Sequence, residues 1–107
     1  MELTDMIKAI CKRNKYSRLY EKYWLTHPFC EVCMGIQGHV QPSRPPHHIV
    51  TRGAGGSDNA WNLIALCAEH DKEVHTIGRE TFMSKYGHCT AVKKFYKAIR
   101  KERKMRR

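Results

Sequence analysis

Acidic side chains are scarce in this 107-residue chain: 10 Asp and Glu stand against 20 Lys and Arg, a formal charge of +10. The excess points to a polyanionic partner, nucleic acid ahead of a membrane surface, with a merely solvated basic face as the plain alternative. Long apolar runs are missing too. None approaches the ~18–20 residues that span a bilayer, and the opening MELTDMIKAICKRNK has no long apolar stretch of the secretory kind. A cytoplasmic location without membrane contact is therefore the expectation, and there cysteines are more often metal ligands than disulfides. The five cysteines are an odd number, so a fully paired disulfide framework is excluded and spacing is the better guide. No internal repeat is evident, and the length suits one domain over residues 1–107. A core of this size leaves a modest stability margin, so a metal staple would matter.

Hydrophobic residues, 41% of the chain, are distributed as a mixed α+β pattern. Leu3, Met6, Ile7, Ile10, Leu19, Tyr23 and Trp24 recur at helical spacing over residues 3–25. A break falls at Asn14–Ser17, with Ser17 as N-cap of the second helix. Met6, Ile10, Leu19 and Trp24 are expected in the core, and Thr26-His27-Pro28 ends the helical stretch. Cys30-Glu-Val-Cys33 reads as a tight knuckle with Gly35 and Gly38 giving turn freedom. Pro42, Pro45 and Pro46 keep the next stretch extended. His47–Thr51 and Leu63–Leu66 read as the strands of a hairpin joined by the Gly-rich loop Arg52–Asn59. Helices follow at about Ala68–Thr76, closed by Gly78, then Glu80–Lys85 and Thr90–Lys104. The last should carry Val92, Phe95, Tyr96 and Ile99 on one face, and its basic tail Arg100–Arg107 is expected to fray. Trp61 reads as packing, and no aromatic platform for stacking bases stands out.

Two pairs have the spacing of metal knuckles: Cys30-x-x-Cys33 and Cys67-x-x-His70. Two intervening residues let one turn aim both donors at one tetrahedral ion, and Zn²⁺ favours this S/N set. Cys67 also stands at a helix start, where the dipole favours a thiolate. A redox C-x-x-C is the competing reading, weakened by the absence of a βαβ pattern. Cys11 and Cys89 have no partner at ligand spacing and are expected as buried or free thiols. On the same helix Asp71 and His75 are four residues apart and share a face, whereas His70 falls off it. His47 and His48 are neighbours on a strand and so point to opposite sides.

The ordered set His47-His48-Ile49, Gly55-Gly56-Ser57-Asp58, Asn62-Leu63-Ile64, Leu66-Cys67 and His75 resembles the motif of the HNH endonuclease family, most closely the small phage and prophage forms. The resemblance covers about residues 30–78. It implies a ββα-metal (His-Me finger) core with a zinc knuckle, flanked by N-terminal helices over 3–25 and a basic C-terminal helix over 90–107. It further implies metal-dependent hydrolysis of DNA phosphodiester bonds, leaving 5′-phosphate and 3′-hydroxyl ends. In it His48 is the general base, His47 a ligand of the catalytic ion, and Asn62 the residue tying the loop to the base-bearing strand. Many relatives read Cys-x-x-Cys-His where this chain has Cys67-x-x-His70-Asp71. Asp71 with His75 would complete the catalytic ion's ligands, and a hard carboxylate oxygen favours Mg²⁺ or Mn²⁺. A surface ion pair is the other role open to Asp71. Arg52 is a candidate for positioning a phosphate. Asp58 could supply a carboxylate near the site, but an Asx-turn is the expected role. Phage relatives make terminase subunits candidate partners by resemblance alone. The reading from another class is a non-catalytic, zinc-stapled nucleic-acid-binding module, which would not require His48, Asn62 and His75 together.

Overall fold

A computed structural model of the protein describes residues 2–36 and 38–105. Its architecture is α+β: helices surround a two-stranded antiparallel sheet. Helices α1 (Leu3–Asn14) and α2 (Arg18–Thr26) pack together. Ser17 caps α2 as expected, its Oγ accepting from the Tyr20 N–H at 3.1 Å. The buried stripe is Ile7, Cys11, Tyr20, Tyr23 and Trp24. Met6 and Leu19, expected inside, are exposed, because the stripe centres one position further along each helix and leaves them on its edge. Ile10 is half-buried against the same cluster.

The knuckle is more helical than expected. Cys33 sits within α3 (Glu31–Ile36), and so does Gly35, which gives packing room and not turn freedom: a Cβ there would meet the Cys89 Sγ at 2.6 Å. Gly38 does turn the chain, with φ at +65°. The proline-bearing segment then runs back beside the start of α3. Cys30 N–H donates to the Gln41 carbonyl at 2.7 Å, and Ser43 N–H donates to that of Pro28 at 2.9 Å.

Strands β1 (His47–His48) and β2 (Leu63–Ile64) pair His47 with Ile64 and His48 with Leu63. Both are shorter than the hydrophobic runs suggest, because other groups take over the ladder. Val50 N–H donates to the Asn62 side chain, not to a strand. The Ala65 carbonyl accepts from Glu31 N–H, and the Leu66 carbonyl from Arg44 N–H. Glu31 Oε2 in turn accepts from Ala65 N–H and the Tyr23 hydroxyl, while Lys94 Nζ donates to that hydroxyl and to the Leu63 carbonyl. This network fastens α2, α3, β2 and the last helix together.

Helix α4 (Ala68–Ile77) starts at Cys67 and stops at Gly78, whose φ of +84° and ψ of +158° suit only glycine. That bend lets α5 (Arg79–Lys85) begin at once. Helix α6 (Lys93–Met105) follows a 3-10 turn at Thr90–Val92. Its buried face is Phe95, Ala98, Ile99 and Glu102, continuing from Val92. Tyr96 lies off this stripe and is exposed, contrary to expectation. The expected fraying of residues 100–107 is also corrected as far as Met105, which is helical. Arg106 and Arg107 lie outside the described residues. Glu102 explains the extra order: Arg79 grips its carboxylate with Nη2–Oε1 at 2.6 Å and Nη1–Oε2 at 3.2 Å. Phe82 and Phe95 fill the main core with ring centroids 5.7 Å apart; truncating either to Ala would cost about 3–5 kcal/mol. Among the described residues, no helix is long and apolar enough to cross a membrane.

Candidate functional site

All five cysteines are buried thiols outside any disulfide. Three of them converge with a histidine, as the two knuckles require. Cys30, Cys33 and Cys67 each place Sγ 3.4 Å from His70 Nδ1, and the sulfurs of Cys33 and Cys67 are 3.8 Å apart. A tetrahedral zinc with ordinary Zn–S and Zn–N bonds sets its donors about 3.5–3.8 Å apart. The donor set and its spacing fit such an ion, so this group can hold a metal such as zinc. Burial pushes the Cys30 thiol up, and that of Cys33 up to about 12. Cys11 and Cys89 are buried elsewhere.

The opposite face of α4 meets β1. There His47, Asp71 and His75 bring one ligand atom each to within 4.8 Å of one another. The His47 Nδ1–Asp71 Oδ1 distance is 3.9 Å and the His75 Nε2–Asp71 Oδ1 distance 3.5 Å. Helical spacing puts Asp71 and His75 together, and the hairpin supplies His47. Burial first, and the neighbouring His75 second, push His47 down to about 4, against the pull of Asp71. Its imidazole is therefore neutral at pH 7 and has a lone pair to offer. Two imidazoles and a carboxylate make an N/O set suited to a divalent ion.

His47 and His48 face different neighbours, as strand alternation predicts. His47 stacks toward Phe95, with ring centroids 6.4 Å apart, and meets His75 edge-on at 5.1 Å. His48 stacks on Tyr20 at 5.3 Å and contacts Asp58, Nε2 to Oδ1 at 2.7 Å. Both rings line a groove of about 400 Å³ shared with Asp71, His75, Arg44 and Arg52. A second hollow of about 300 Å³, bounded also by Arg79 and Glu102, meets both rings as well.

Asn62 is fully buried and acts as a clasp. Its Oδ1 accepts from Val50 N–H at 2.7 Å, and its Nδ2 donates to the carbonyls of Val50 and Ser57, both at 2.9 Å. Its backbone carbonyl accepts from Ile49 N–H at 2.9 Å. One side chain thus holds the end of β1 and the loop together beside His48. Gly56 helps close the same loop: a Cβ there would lie 1.8 Å from the Val50 carbonyl oxygen.

Asp58 departs from its expected Asx-turn. The local turn is made by Asn59, whose backbone N–H and Nδ2 both donate to Ser57 Oγ, which frees Asp58 to face the site. Its Oδ2 accepts from Ser17 Oγ at 2.6 Å, and Arg52 Nη2 bonds both oxygens at 3.1 and 2.9 Å. Burial alone would raise this carboxyl, but the bonds from His48, Ser17 and Arg52 outweigh it and hold it below its ordinary value. Arg52, expected to hold a phosphate, is thus paired with Asp58 while its side chain stays 60% exposed at the groove. Arg44 stands on the same groove unheralded by any motif, on a backbone fixed by its N–H to the Leu66 carbonyl at 2.7 Å. Tyr16 also lines the groove, with its ring 4.6 Å from that of Tyr20. Local pattern carries no signal for these residues, because contacts from distant elements bring them in. No family model, curated protein or solved structure matches this chain.

Proposed function

We propose that this chain is a metal-dependent endonuclease of the HNH, or ββα-metal, type that hydrolyses DNA phosphodiester bonds, with a structural zinc at Cys30, Cys33, Cys67 and His70. One observation carries the reading: three side chains able to ligate a divalent ion, His47, Asp71 and His75, converge on an open groove that also holds His48 and two arginines. A binding module needs basic side chains but no such convergence.

Phosphodiester hydrolysis needs a base for water, charge stabilisation on the phosphate and help for the leaving oxygen. His47, Asp71 and His75 would hold a Mg²⁺, Mn²⁺ or similar ion, which would supply Lewis acidity. The chain does the rest. His48, whose ring lines the same groove, takes the proton from the attacking water. Asn62 keeps His48 in register by clasping the loop to Val50. Arg52 and Arg44 hold phosphates along the groove, giving affinity without base choice. Further affinity comes from the net charge of +10.

The test is conversion of supercoiled plasmid to nicked or linear DNA by the zinc-loaded chain with Mg²⁺, Mn²⁺ or Ni²⁺. Wild-type protein should cleave, and His48→Ala should lose about 10²–10⁴ in rate, the usual worth of a general base. Cleavage undiminished in His48→Ala contradicts the assigned base. Salt-sensitive binding without cleavage under every metal favours the binding-module reading.

A further inference from the structure

We propose that Asp58 is a positioning residue that fixes the tautomer and orientation of His48; the inference rests on the nuclease reading above. An ionised carboxylate can only accept, so the 2.7 Å contact makes His48 Nε2 the donor. The ring's proton is thereby held on Nε2, and Nδ1 is left as the atom with a lone pair for water. Without Asp58 a neutral imidazole could carry its proton on either nitrogen, and only one form has its free lone pair on Nδ1.

Three features show a carboxylate held for this purpose. First, Asp58 is itself fixed from two further directions, by Ser17 Oγ at 2.6 Å and by Arg52. Ser17 is the N-cap of α2, so the carboxylate is referenced to a helix end and not only to its own loop. Second, the His48 ring is stacked on Tyr20, with an interplanar angle of 10°. Tyr20 is held in turn by a hydrogen bond from its hydroxyl to the Pro46 carbonyl at 2.5 Å. Stacking fixes the ring plane and the Asp58 bond fixes rotation within it. Third, Arg52 spends only Nη2 on Asp58, so its Nη1 and Nε donors remain for a phosphate while it still steadies the carboxylate. Nothing in the Gly-Gly-Ser-Asp-Asn loop requires an acid there for local folding, since Ser57 and Asn59 make the turn.

The direct measurement is the tautomer of His48 in the full zinc-loaded chain, read from ¹⁵N–¹H long-range correlations with the imidazole neutral. Wild-type protein should show Nε2–H, and Asp58→Ala should populate Nδ1–H. In plasmid cleavage Asp58→Ala should lower kcat about 10- to 100-fold, part of what a general base contributes, with KM for DNA within twofold. Asp58→Asn can turn its amide N–H toward Nε2, so it should also populate Nδ1–H and lose kcat at least as far as Asp58→Ala. Arg52→Ala should instead act mainly on KM. An Nδ1–H form in the wild-type chain overturns the proposal and needs no variant to fold. So does an Asp58→Ala phenotype confined to KM, which would reduce Asp58 to a partner for Arg52. If the wild type cuts nothing under any metal, the nuclease reading fails, while the tautomer still decides whether Asp58 sets His48.

Discussion

On one face of α4 the donors are three thiols and an imidazole, with all three cysteines no more than 6% exposed. On the other they are two imidazoles and a carboxylate, and the His75 and Asp71 side chains are 65% and 26% exposed. The first set is four donors, three of them buried, that could surround one tetrahedral ion, and the second is three candidate donors open to a groove. Structural zinc sites have the first character, while catalytic sites keep a position free for water or substrate. A single ten-residue helix separates the two groups by face: Cys67 and His70 at its start turn to the knuckle, and Asp71 and His75 turn to the hairpin.

Breaking the closed side should have the largest effect. Zinc in small structural sites is worth about 10–16 kcal/mol of apparent binding free energy, as much as the whole stability of a domain, about 5–15 kcal/mol. A strong chelator, or Cys67→Ser, should abolish the cooperative melt in circular dichroism, and zinc should restore the chelated wild type. His75→Ala, on the open side, should melt within a few degrees of the wild type. Equal collapse of both variants would erase the distinction.

The next largest effect falls on the clasp beside the open side. Asn62→Ala removes three side-chain bonds and orphans the buried Val50 N–H, which should cost at least about 1–3 kcal/mol in urea denaturation. Cleavage should fall with it, because the strand that carries His48 loses its clasp. A variant as stable as the wild type would reduce Asn62 to a bystander.

The smallest effect belongs to the rim of the open side. Arg52→Ala should leave the melting temperature nearly unchanged and weaken DNA binding. The slope of log K against log salt should flatten by about one unit if one phosphate contact is lost. An unchanged slope would confine Arg52 to its pairing with Asp58.

How far this comparison was legible in the sequence follows from the range of each interaction. The closed side reads from two short spacings, Cys30 to Cys33 and Cys67 to His70, because each pair is fixed by one turn of chain. Asp71 and His75 read from helical periodicity, and the split between His47 and His48 from strand alternation. Tyr20 and Arg44 did not read, and Asp58 read only as a second choice behind an Asx-turn, since all three reach the site through contacts 10 or more residues away, such as Ser17 with Asp58 and Arg44 with Leu66. The strands came out short because side chains of Asn62 and Glu31 replaced backbone partners, which no hydrophobic pattern encodes. Met6, Leu19 and Tyr96 mark the same limit: periodicity finds an apolar stripe but not which residue on its edge stays in water.

The most direct test of two metal sites on two faces of one helix is calorimetric titration of Mn²⁺ into the zinc-loaded chain, with zinc counted by elemental analysis. The account predicts one zinc per chain that survives dialysis. It also predicts one weaker Mn²⁺ that disappears in an Asp71→Asn, His75→Ala double variant still holding its zinc. A wild-type chain that binds no second ion, or a double variant that binds it as tightly, would contradict the open site.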